Sequence, residues 1–79
     1  MPTVRFPWSP TLVETRQDTC PNATWDKSRR HWTMTTPEAE AFIAACHRRL
    51  EFARVNTEIV VDDRRWLVGF VQGAPCVIG

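Results

Sequence analysis

Cys46 and His47 stand side by side, the residue types of a thiol nucleophile and its base, and Cys20, His31 and Cys76 extend them to a candidate zinc set. Spacing argues against both chemistries. Adjacent side chains on a helix point about 100° apart, so Cys46 and His47 face different surroundings. Structural zinc sites hold two ligands on one turn through close pairs such as C-x2-C, and this chain has none. Cys46 falls within an apolar helical stripe, where a thiol is a small, inert hydrophobe. Asp62-Asp63 is a carboxylate pair, but it lies between two β-rich runs, where aspartate serves turn geometry. The three glycines, Gly69, Gly73 and Gly79, form no phosphate-binding loop. With two histidines and no tyrosine, little is left for general acid–base work. The expectation is a protein that is not an enzyme and uses no cofactor or metal.

Binding residues are more conspicuous. Nine of the ten basic residues are arginine, many of them in the doublets Arg29-Arg30, Arg48-Arg49 and Arg64-Arg65. Two doublets adjoin candidate hairpin turns that also carry tryptophan. Lys27, Arg29, Arg30, Arg64 and Arg65, with Trp25, therefore suit a nucleic-acid surface that stacks bases on indole and holds phosphates on guanidinium. The opposing reading puts Trp25, Trp32 and Trp66 in the core with arginine stems over their edges, and has Asp26, Asp62 and Asp63 cancel the local charge. The string Trp-Asp-Lys-Ser-Arg-Arg-His-Trp resembles a strand–turn–strand of AP2-type DNA-binding domains, which read DNA with a three-stranded sheet backed by a helix. The third strand before the helix has no counterpart here, and the likeness assigns no family.

A second surface lies on the helix. Phe52 falls opposite the core stripe beside Ala41, Ala45 and Arg48. An aromatic ring with alanines and an arginine rim is the composition of a protein interface, for a partner or a second copy of the chain. Alternatively, the proline-rich start or the apolar tail Cys76-Val77-Ile78 covers it.

The elements that would position these residues can be read in order. Residues 1–10 hold three of the six prolines and read as an extended arm or at most an edge strand, whose alternating Val4, Phe6 and Trp8 could pack one side on the body, leaving 11–79 as a single domain. Residues 11–16 read as a short strand, 17–23 as a loop, and Trp25 to Met34 as a hairpin around a polar turn. A helix over 37–54 has two candidate starts: Thr36 capping Pro37, or a capping box of Thr35 with Glu38. Ala39, Phe42, Ile43, Cys46, Leu50 and Ala53 fall on its buried face. A second hairpin turns at Asp62-Asp63, and its later strand, apolar on both faces, suits the interior of a sheet. The predicted fold is a two-layer α+β domain, an antiparallel sheet of three to five strands with one amphipathic helix on one face.

At 79 residues the chain has room for one core, and a net charge of +1 gives no strong global field. No run approaches the ~18–20 apolar residues of a membrane span, so no membrane partner is expected. The lack of a secretory-type start and the odd cysteine count favour a reducing, cytoplasmic setting. Function is therefore expected to be that of a small protein-binding module or inhibitor, of the size of many bacterial and phage-encoded inhibitors. Nucleic-acid binding through the arginine doublets and tryptophans is the alternative.

Overall fold

The computed structural model describes all 79 residues. In chain order they form β1 (Thr3–Arg5), α1 (Pro10–Thr19), β2 (Thr24–Asp26), β3 (His31–Thr33), α2 (Thr36–Phe52), β4 (Asn56–Val61), β5 (Arg64–Gly69) and β6 (Cys76–Val77). The strands make one antiparallel sheet in the order β2-β3-β1-β4-β5-β6. The α+β class and the two hairpins are as expected. The sheet is larger than predicted, with six strands, and there are two helices.

The second helix and a new central strand lie at the start of the chain, and β6 at its end supplies the sixth strand. Residues 1–10 are not an arm apart from the domain, because β1 lies between β3 and β4 and Val4 is fully buried. Proline does not prevent this, since Pro2 and Pro7 flank the paired triplet and no ladder donor is lost. Pro2 contributes its carbonyl to the Met34 N–H at 3.2 Å. Residues 11–16 are helical, not extended. Ser9 precedes the helix and Pro10 opens it, the same Ser/Thr–Pro pairing that marks α2. The β-branched threonines tolerate the helix by turning their hydroxyls onto the preceding turn, Thr15 to the Thr11 carbonyl at 2.7 Å and Thr19 to that of Thr15 at 2.8 Å.

Of the two starts open to α2, the capping box is used. The Glu38 N–H donates to the Thr35 hydroxyl at 3.3 Å, and the Thr35 N–H donates to the Glu38 carboxylate at 2.8 Å. The helix closes at Phe52, so Ala53 is its exposed C-cap and not part of the core stripe. Ala45 is buried, against expectation, because α1 lies along that flank. Arg49 ties the two helices together, donating to the Thr15 hydroxyl at 2.9 Å and to Asp18 at 2.8 Å. Phe42, Leu12, Met34, Val4, Ile59 and Val68 fill the space between helices and sheet. Register places Val4, Trp32, Trp25, Val61, Ile59, Trp66 and Val68 on the face turned to the helices. Thr3, Arg5, Thr33, Glu58, Val60 and Arg65 share the other face, which no helix covers.

Both polar turns are built on aspartate. Asp62 and Asp63 take left-handed conformations with φ of 50° and 66°, as a two-residue hairpin requires. Asp26 accepts from the Arg29 and Ser28 N–H groups, each at 3.1 Å, and from the Ser28 hydroxyl at 2.9 Å. The Arg29 N–H, then the Ser28 hydroxyl, hold the Asp26 carboxyl below its ordinary range. The Thr35 N–H and hydroxyl do the same for Glu38. A depressed carboxyl contributes stability above its ordinary value and loses it as pH falls through the lowered folded value. The melting temperature should therefore fall as the pH drops below about 4.5, and Asp26→Asn with Glu38→Gln should flatten that part of the curve.

Candidate functional site

At the end of the sheet where β1 finishes and the β2–β3 turn projects, a groove of about 440 Å³ opens between sheet and α1. Phe6, Trp8, Val13, Trp25 and Trp32 form its apolar wall, and Arg5, Arg16 and Arg30 supply charge. No carboxylate lines it. Trp25 and Trp32 are directly opposed across β2 and β3, with ring centroids 5.3 Å apart and planes inclined at 53°. The Arg16 guanidinium lies 4.0 Å from the centre of the Trp32 ring and donates to the Cys20 carbonyl at 3.2 Å. Trp32 is thereby fixed from both sides, while Trp25, on the edge strand, keeps 47% of its surface open. Phe6 is anchored on Phe42 at 5.2 Å. Two residues on, between Pro7 and Pro10, Trp8 is 82% exposed. Short fixed-φ neighbours make that exposure a property of the backbone.

Two of the three arginines are available for a ligand. Neither the Arg5 nor the Arg30 guanidinium has a hydrogen-bond or ion-pair partner in the domain. Arg30 takes a left-handed conformation with φ of 56° that closes the turn, its N–H bonded to the Asp26 carbonyl at 2.7 Å. A concave site with indole surfaces and unpaired guanidinium groups suits a planar, apolar ligand bearing negative charge.

The structure brings together only part of the expected nucleic-acid set. Trp25 and Arg30 line the groove, and Lys27 and Arg29 are exposed on the same turn, Arg29 3.5 Å from Asp26. Arg64 is elsewhere, beside the Asp62-Asp63 turn at the opposite end of the sheet, where Asp62 accepts from the Thr3 N–H. Arg65 lies on the uncovered face, 3.7 Å from Glu58. Five groove residues were not anticipated: Arg5, Phe6, Trp8, Val13 and Arg16. The signal for Phe6 and Trp8 was the period-two alternation of Val4, Phe6 and Trp8 in the first eight positions.

The expected protein interface is also divided. Arg48 and Ala41 are exposed and Phe52 is 93% exposed, so neither the chain's start nor its tail covers that ring. Ala45 is sunk against α1 and drops out of the surface. Phe52 instead stands near exposed Val55 and Phe70, which are joined by the Phe70 N–H donating to the Val55 carbonyl at 2.8 Å.

The Cys46–His47 pair is separated in role. His47 accepts the Gly69 N–H on Nδ1 at 3.0 Å and faces Glu51 through Nε2 at 3.1 Å, locking α2 to β5. Cys46 is fully buried, and burial pushes its thiol up to about 12. Cys20 is likewise raised by burial, with its sulfur 3.6 Å from that of Met34. Cys76 is exposed. A thiol reagent at about pH 8 should modify Cys76 alone in the folded protein and all three cysteines after unfolding. A second fast-reacting thiol would contradict the packing described. No three His, Cys, Asp or Glu side chains converge as a metal site, and no helix is long and apolar enough to cross a membrane.

Comparison with known proteins adds no relative: no protein-family model, curated protein or solved structure matches the chain.

Proposed function

We propose that this chain is a non-enzymatic binding domain whose ligand is single-stranded nucleic acid, held in the groove between β1, the β2–β3 hairpin and α1. The observation that carries this reading is the convergence of Phe6, Trp8, Trp25 and Trp32 with Arg5, Arg16 and Arg30, without a carboxylate among them. Unpaired bases stack on aromatic rings whatever their identity, and arginine serves the phosphates between them. Stacking between successive base pairs in a duplex would hide the faces the indoles need, so the ligand is single-stranded.

Fluorescence anisotropy of a labelled oligothymidylate tests it. Two arginine–phosphate contacts, from Arg5 and Arg30, correspond to a log–log salt slope of about −1.4, so affinity should fall about sevenfold between ~50 and ~200 mM salt. A duplex of equal length should bind more weakly at every salt concentration. Absence of oligonucleotide binding at low salt would end the reading.

The exposure of Phe52, with Val55 and Phe70 nearby, favours a second reading as a protein-binding module or inhibitor, with a protein partner or a second copy on that face. Phe52→Glu separates the two, since it should leave oligonucleotide affinity unchanged and abolish any self-association seen by sedimentation.

A further inference from the structure

We infer that the groove receives the terminal nucleotide of a strand, the rest of which leaves over the β2–β3 turn; this rests on the nucleic-acid reading above. A second hollow of about 430 Å³ adjoins the groove, lined by Arg5, Phe6, Pro7, Thr57, Glu58 and Val60. Arg5 and Phe6 line both, so the two hollows adjoin at the end of β1. The strand order makes this a line, from the β2–β3 hairpin past β1 to β4.

Charge along that line is unequal. On the hairpin side, Lys27 extends the cationic surface beyond Arg30, while Arg29 is held 3.5 Å from Asp26. On the β4 side, the first charged group past Arg5 is Glu58, whose carboxylate is half-exposed and 3.7 Å from its Arg65 partner. A phosphate in the second hollow would meet that carboxylate, and like charges brought together weaken binding. The aromatic wall also stops at Phe6, since Pro7, Thr57 and Val60 offer no ring on which a second base could stack. A strand can therefore enter from the turn and end on the groove, but meets repulsion where it would continue. With Arg5 and Phe6 common to both, the rest of the lining sets the direction: Trp8, Trp25, Arg16 and Arg30 in one hollow, the Glu58 carboxylate in the other.

Linear and covalently circular oligothymidylates of about 20 nucleotides distinguish a terminal site from a through-going one, and the linear form should bind about tenfold more tightly at low salt. Glu58→Gln should bring the circle to within about threefold of the linear strand while leaving linear affinity nearly unchanged. Equal affinity of circle and linear strand for the unaltered protein would overturn the terminal site. A gap that survives Glu58→Gln would overturn the part assigned to Glu58. Failure of both forms to bind would instead refute the nucleic-acid reading itself.

Discussion

Gly69→Ala is expected to lower the melting temperature by about 15 °C or more, the largest loss of stability from any single methyl group in this domain. Gly69 closes β5 with φ of +107°, a region that side-chain-bearing residues rarely enter. A Cβ there would lie 2.4 Å from the Val55 carbonyl oxygen, 2.8 Å from Leu50 Cβ and 3.0 Å from Asn56 Cα. Two of these are backbone atoms and the third is the root of a buried side chain, so none can swing aside. Backbone strain and overpacking each cost about 1–3 kcal/mol, and a domain of this size has only about 4–12 kcal/mol in total. Gly73→Ala is the control. Its φ of +94° carries a similar backbone cost, but nothing lies within 4 Å of the added methyl. Thermal melts by circular dichroism should show a loss at Gly73 well under that at Gly69. Equal losses would mean that the joint between α2 and β5 is looser than described.

Trp8→Ala is expected to weaken oligonucleotide binding about tenfold or more while leaving the melting temperature nearly unchanged. Loss of a base–aromatic stack costs about 1–3 kcal/mol of binding, and each 1.4 kcal/mol is a factor of ten. The ring is 82% exposed, so its removal takes little from the core. Trp25→Ala should weaken binding similarly and also lower stability slightly, because Trp32 loses its neighbour at 5.3 Å. Anisotropy titrations paired with thermal melts read both effects. Full affinity in Trp8→Ala would remove Trp8 from the site and leave the groove with one exposed indole.

The parts of the fold legible in the sequence are those with local causes. The capping box of Thr35 and Glu38, the apolar period of α2 and the Asp62-Asp63 turn each specify their geometry within a few residues, and each was anticipated. Two features depended on distant partners. Residues 11–16 carry threonine and valine, residues with a β preference, and became helical because Leu12 and Thr15 bury against the core and α2. Ala45 lies outside the stripe expected for a single helix, and only the presence of α1 makes its face an inner one. The candidate site was legible by half for the same reason. Trp25 and Arg30 are beside a turn that the sequence announces. Phe6, Trp8 and Arg5 reach the groove because β1 enters the middle of the sheet, and no local signal says where a three-residue strand will pair.

The position of β1 also governs how the molecule must assemble. Hairpins such as β2–β3 and β4–β5 close in about 1–10 μs, because their partners are neighbours in the chain. β1 has no such neighbour; its Thr3 bonds to Asp62, 59 residues away. Until it inserts, the sheet is two separate hairpins, each with an unsatisfied edge and an uncovered apolar face. Loop-closure entropy therefore falls on a single late event, and the folding rate should be set by docking this strand. The residues that complete the ladder leave the ribosome before either hairpin they join; they can pair with β3 first, but they bridge the two hairpins only once both have formed.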